Sequence, residues 1–182
     1  MAKPDYRDTI VSCLKPQAIC RVLFRNRSYD ELLFPLRLSD KLFLSVIDQD
    51  FQLDGYTVRR LRDIVLAEPV RGNYLRMHKA EGNLSRLHVP PVPLRDWREV
   101  CDTLAAANEL IMLECDAEND ELTLLCGKIT AVALPAIRFL PFDGDGEWHT
   151  RPITILYRQI RAITFGSRYL TTYAKYLPRS PR

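Results

Sequence analysis

The chain has 182 residues, of which 47% are apolar, and its 26 basic and 23 acidic side chains leave a formal charge of +3. That length and apolar share suffice for one ordinary domain or two small ones with a real core, and exclude a disordered tail. No run of 18 apolar residues is present, so the sequence offers no transmembrane helix and no membrane partner is expected.

The opening residues "MAKPDYRDTIVSC" place Asp5 and Asp8 ahead of any apolar run, unlike a secretory signal, and the expected location is the cytoplasm. Ile10, Cys13 and Leu14 repeat at helical spacing and predict a first short helix. A strand-like run, "AICRVLFR" at 18–25, follows, and then further β-rich segments with polar turns between them. At 81–97, "EGNLSRLHVPPVPLRDW" breaks the pattern, because Pro90, Pro91 and Pro93 can neither continue a helix nor donate to a ladder. The expected organisation is a domain at 1–87, a Pro-rich linker at 88–95 and a second domain at 96–182 that ends in a basic tail.

The second half repeats the order of the first. Asp96 is the expected N-cap of a helix with Glu99 three residues on, and Val100 and Leu104 are its apolar positions. "ELIMLEC" at 109–115 opens its strands. "YTVRRLRDIVL" at 56–66 aligns with "ILYRQIRAITF" at 155–165, setting Arg59 on Arg158, Arg62 on Arg161 and Ile64 on Ile163. With small gaps, Asp48 and Asp50 fall on Asp143 and Asp145, and Tyr74 and Leu75 on Tyr169 and Leu170. Ile153, Ile155 and Tyr157 alternate with Thr154 and Leu156, whereas Ile160 and Ile163 follow a break in period, so a tight corner is expected near Arg158 and Gln159.

A short helix leading about five strands with such a closing corner resembles the Sm-like small β-barrels. "LTLLCGKITAV" at 122–132 looks like that family's bent second strand, with Gly127 where no side chain fits. "ITFG" at 163–166 is similar to the segment joining the family's last two strands. The loop at Leu134 and Pro135 is apolar where RNA-binding members carry Asn or Asp, and the first half has Leu66, Ala67 and Glu68 in place of the glycine. The resemblance implies a mainly β chain of two Sm-like small β-barrels in tandem, each preceded by a short helix.

Charge is unevenly placed. Residues 109–121 hold acids and no base, whereas 151–182 hold seven bases and no acid. The basic end is interleaved with Tyr157, Tyr169, Tyr173 and Tyr176, the ingredients for contacting phosphates and stacking on bases. The tyrosines at 169, 173 and 176 equally form one stripe of a helix packing on the barrel. The candidate nucleic-acid contacts are Arg59, Arg62, Arg158, Arg161, Arg168, Tyr169, Tyr173 and Lys175.

"FDGDGEWH" at 142–149 lacks the further oxygen ligands of a calcium loop and reads as a turn, a role that Asp48 and Asp50 share. Five cysteines without CxxC spacing and three scattered histidines predict neither a disulfide framework nor a zinc site, and the cysteines read as small buried hydrophobes. No nucleophile, phosphate-loop or dinucleotide motif is present, so neither catalytic residues nor a cofactor is expected. The leading expectation is a non-enzymatic binding or assembly module with RNA as partner. The alternative is a scaffold that pairs with copies of itself through barrel edge strands, and an uncharacterised enzyme ranks last.

Overall fold

A computed structural model of the chain describes residues 6–14, 18–25, 27–117 and 121–180. The protein is mainly β and divides into two compact units, Met1–Pro91 and Val92–Arg182. No helix of the described residues is long and apolar enough to cross a membrane.

The first unit runs α1 (Arg7–Leu14), β1 (Cys20–Phe24), β2 (Asp30–Leu38), β3 (Leu42–Gln49), β4 (Gln52–Arg60), a 3-10 turn (Leu61–Asp63), β5 (Ile64–Pro69) and α2 (Asn73–Ala80). Its strands are antiparallel in the order β5-β1-β2-β3-β4. Strand alternation sends successive side chains to opposite faces, and both faces are apolar. On one, Ile10 and Cys13 of α1 join Cys20, Val22, Phe24, Leu33, Phe43 and Ile64. On the other, Ile19, Phe34 and Val46 pack with Tyr74 and Leu75 of α2. Full burial of each such side chain contributes about 1.5–3 kcal/mol.

The second unit runs α3 (Trp97–Ala106), β6 (Ile111–Asp116), β7 (Leu122–Val132), β8 (Ala136–Phe142), β9 (Ile153–Leu156), β10 (Ile160–Phe165) and α4 (Arg168–Tyr176), with strand order β10-β6-β7-β8-β9. Asp96 caps α3 by accepting the Glu99 amide at 3.0 Å, and Trp97, Val100, Cys101 and Leu104 form its buried stripe. Gly127 sits where β8 crosses closely: a Cβ there would stand 2.2 Å from the Leu140 carbonyl oxygen. In neither unit does a ladder among the described residues join the last strand to the fourth, so each sheet is open rather than a closed barrel.

The two units share more than element order. In each, the last strand pairs with the first across a bulge, with Val65 the extra residue in β5 and Arg161 in β10. A second bulge interrupts the next ladders at Leu36 and at Thr130. Cys20 pairs with Leu33 as Ile111 pairs with Gly127, and Phe43 pairs with Arg59 as Ile137 pairs with Ile155. Four corresponding ladders, two of them with matching bulges, make this one architecture used twice, although the bulge of β3–β4 at Val46/Asp48 has no counterpart in β8–β9.

This register corrects the sequence alignment. Ile64 corresponds to Ile160 rather than Ile163, so Arg62 stands opposite Arg158, Arg161 opposite Val65, and Arg59 opposite Ile155. The slip arises because Arg59 and Arg62, like Arg158 and Arg161, are three residues apart, so a three-residue shift still superimposes arginines. Two further expectations change. "ITFG" does not join the last two strands: Ile163–Phe165 finish β10, and Gly166, at φ 64°, turns the chain into α4. The corner between β9 and β10 is Tyr157–Gln159, where the Gln159 side chain accepts the Leu156 amide at 2.9 Å and donates to the Asp116 carbonyl at 3.1 Å.

Candidate nucleic-acid interface

Helix α4 is fixed to the second unit at few points. Ser167 caps it through the Leu170 amide at 3.3 Å, and Leu170, 1% exposed, is its buried anchor. One turn on, the Tyr173 ring lies 4.9 Å from Phe142 and its hydroxyl donates to the Gly144 carbonyl at 2.6 Å. Phe142 meets Trp148 at 5.5 Å, and Tyr169 meets Tyr173 at 4.8 Å, so four rings run in a row from α4 to the β8–β9 loop. Trp148 donates to the Pro178 carbonyl at 2.9 Å and carries the Lys128 ammonium 5.6 Å from its ring centroid.

The outer side of α4 is open. Tyr169 is 45% and Tyr176 81% exposed, Arg168, Thr172 and Lys175 are exposed on the same helix, and Arg179 is exposed in the segment beyond it. A hydrogen bond with the Tyr173 hydroxyl, and then burial, push the Tyr169 phenol up to about 12. The acidic loop borders this row. Asp143 is spent inside it, its Oδ1 accepting the amides of Asp145 at 3.0 Å and Glu147 at 2.9 Å, which makes "DGDG" a side-chain-fixed turn. Among the described residues no group of three His, Cys, Asp or Glu side chains is disposed to hold a metal.

The eight candidate contacts fall in three settings. Arg168, Tyr169, Tyr173 and Lys175 share α4. Arg62 and Arg158 are exposed at equivalent corner turns of the two units. The other two are held in ion pairs. Arg161, the bulge residue of β10, donates through Nε to Asp116 at 2.7 Å. Arg59 is only 5% exposed, with a guanidinium nitrogen 2.9 Å from Glu31 and the group stacked 4.4 Å from the Phe24 ring centroid. Its stem and charge serve the first unit's interior, and Arg59 leaves the candidate surface.

Sequence reasoning passed over two features. Lys128 lies 52 residues from Ser180, the hydroxyl it reaches, and only the fold brings them together. The second is a buried polar cluster beneath α2. His78 has no exposed surface, and its Nε2 stands 3.3 Å from Asp48 Oδ2, which also accepts the Tyr74 hydroxyl at 2.7 Å. Asn83 Nδ2 donates to the Phe51 carbonyl at 2.7 Å and faces His78 Nδ1 at 3.0 Å. The Asn83 amide NH2 thus faces Nδ1, and the other ring nitrogen lies on the carboxylate side. Asp48 is therefore a buried partner rather than a turn residue. The only signal was Tyr74 and His78, four residues apart and so on one face of a helix.

No protein-family model, curated protein or solved structure matches the chain.

Proposed function

We propose that the chain is a non-enzymatic binding module of two Sm-like small β-barrel units in tandem, and that α4 of the second unit takes single-stranded nucleic acid, RNA first. A helix leading five strands, the last returning to the first, supports the Sm-like reading in each unit. The observation that carries the ligand is the outer side of α4. Two exposed tyrosine rings share α4 with exposed Arg168 and Lys175, and exposed Arg179 follows beyond the helix, within a segment of seven bases and no acid. Bases stack on the rings while the cations neutralise the adjacent phosphates.

Fluorescence anisotropy with labelled oligo(U) and oligo(dT) at low salt tests this. Binding is expected to weaken as salt rises, and Arg168→Ala with Lys175→Ala is expected to lower the log–log salt slope by about 1.4, at roughly 0.7 per phosphate on a single strand. Tyr169→Ala with Tyr176→Ala is expected to cost about 1–3 kcal/mol for each stacked base lost. Absence of binding, or binding indifferent to salt, overturns the reading.

A second reading, self-association through strand edges, is favoured by apolar side chains left outside on the end strands of the two orders. Val65 is 45% and Leu66 37% exposed on β5, and Ile153 is 38% exposed on β9. Such strands present unpaired backbone groups beside apolar surface. Light scattering that returns a strict monomer at high concentration rules this reading out.

A further inference from the structure

Beyond α4 the chain turns back over its own row of rings. Leu177 closes the helix, its amide donating to the Tyr173 carbonyl at 2.8 Å, and Pro178 cannot extend it. Residues 177–180 belong to no helix or strand. They make two polar contacts with the second unit instead. Trp148 Nε1 donates to the Pro178 carbonyl at 2.9 Å, and the Lys128 ammonium donates to the Ser180 hydroxyl. The two donors stand together, because the same ammonium lies 5.6 Å from the Trp148 ring centroid. Trp148 is also the far end of the row that starts at Tyr169 and runs through Tyr173 and Phe142.

We propose that Trp148 and Lys128 form a nucleotide subsite, and that residues 178–180 are a strap that fills it until single-stranded nucleic acid displaces them. This subsite extends, and rests on, the reading of α4 as a nucleic-acid surface. An indole offers an aromatic face and one N–H donor, and an ammonium offers a cation with three donors. A nucleotide matches that set: its base meets the ring, a base carbonyl accepts the indole N–H, and its phosphate takes the ammonium. The strap supplies the same acceptors in weaker form, one amide carbonyl and one neutral hydroxyl. A phosphate therefore gains from Lys128 a charge-assisted contact between opposite charges, which Ser180 does not give. The strap is also lightly held. Pro178 and Arg179 are exposed and Ser180 is half-buried, so its two contacts are exchanged for water at little net cost.

A chain ended after Leu177 keeps α4 and loses the strap. Ending there also removes Arg179 and Arg182, so its comparison is the full chain carrying Arg179→Ala and Arg182→Ala, which has lost the same two charges. With labelled oligo(U) at low salt, the shortened chain is expected to bind about ten-fold tighter than that comparison. Trp148→Leu in the shortened chain is expected to abolish the gain. Trp148 fluorescence reads the subsite directly, since the other tryptophan, Trp97, is buried on α3. Acrylamide quenching is expected to rise on shortening and to fall when oligo(U) binds. Circular dichroism checks that the shortened chain folds. Where it does not, Ser180→Ala in the full chain decides: it keeps every charge, frees the Lys128 ammonium, and is expected to tighten binding about three-fold. A strap-free or Ser180→Ala chain that binds no tighter than its comparison, or Trp148 fluorescence indifferent to bound oligo(U), overturns the subsite and leaves the α4 reading standing. Absence of oligo(U) binding by all of these chains overturns both.

Discussion

Replacing His78 by Ala probes the buried cluster of the first unit. Asp48 and His78 have fully buried side chains, and the carboxylate Oδ2 is shared between His78 at 3.3 Å and the Tyr74 hydroxyl at 2.7 Å. Removing the imidazole leaves a buried carboxylate with only the tyrosine, a situation that costs about 3–5 kcal/mol. It also opens a hole against Phe34, Phe51 and Tyr74, whose rings lie 5.1 to 5.2 Å from His78. Tyr74→Phe removes one hydrogen bond to a charged group and is expected to cost about 1.5–3 kcal/mol. The cluster also supports an unusual turn. Asp50 and Phe51 sit at φ 50° and 65° in a two-residue hairpin, the second place being one that glycine usually takes. Phe51 keeps it by stacking 4.5 Å from Tyr74 and by the Asn83 bond to its carbonyl. Urea unfolding followed by far-ultraviolet circular dichroism measures the losses. At an m-value of about 1–3 kcal/mol/M, the His78→Ala midpoint is expected to fall by at least about 1 M. Asp48→Ala combined with His78→Ala is expected to cost less than the two singles summed, by about 0.5–3 kcal/mol, because each single strands the other's partner. A His78→Ala midpoint equal to the parent's, or strict additivity in the cycle, refutes the assignment of Asp48 and His78 as mutual partners.

Gly127→Ala forces a methyl group against backbone, 2.2 Å from the Leu140 oxygen and 2.8 Å from the Pro141 Cα, so β7 and β8 must part. A loss of about 1–3 kcal/mol, read as a fall in melting temperature, is expected, and an unchanged melting temperature contradicts the close approach. Arg59→Ala is expected to lower the unfolding midpoint through the lost Glu31 pair and Phe24 contact while leaving the nucleic-acid salt slope unchanged, and a reduced slope returns Arg59 to the interface. At alkaline pH, burial first and the nearby Cys101 and Asp102 charges next push Tyr157 up to about 12 from the ordinary 10.0, and burial raises Cys101 to about 12 from 9.0. Groups raised on folding contribute stability that is whole below their unfolded values and is lost as pH climbs through the folded ones. The midpoint is therefore expected to fall between pH 9 and 12, and a full tyrosine titration near 10.0 in the folded chain speaks against it.

Element order was legible because it rests on local signals: the Asp96 cap, the apolar stripe of α3, the break at Pro90 to Pro93, and the change of period at Tyr157–Gln159. The place of Gly127 was legible for the same reason, since an isolated glycine in a strand marks close backbone approach. Register was not. Alternating aliphatic strands look alike under small shifts, and only the ladders, with their bulges at Val65 and Arg161, select the alignment. Nor could sequence tell a buried arginine from an exposed one. Arg59 and Arg158 are the same residue in similar text, yet one meets Glu31 and Phe24 inside a sheet and the other stands on a corner turn.

The two units differ in the helix that follows their last strand. Both α2 and α4 follow the last strand and begin with a Tyr–Leu pair at the second and third positions, Tyr74–Leu75 and Tyr169–Leu170. In the first unit the helix is riveted downward: Tyr74 and His78, on one face, both reach Asp48. In the second unit, Tyr173 holds the position four residues after Tyr169, as His78 does after Tyr74, and it bonds a loop carbonyl of Gly144 instead of a buried carboxylate. That substitution removes the buried charge and leaves Tyr169 half outside. The lengthened β8–β9 connection, which carries Trp148, then receives Pro178 from the tail. One architecture thus has its second helix tied to a buried carboxylate in the first copy and to a loop carbonyl in the other, where residues 151–182 hold seven bases and no acid.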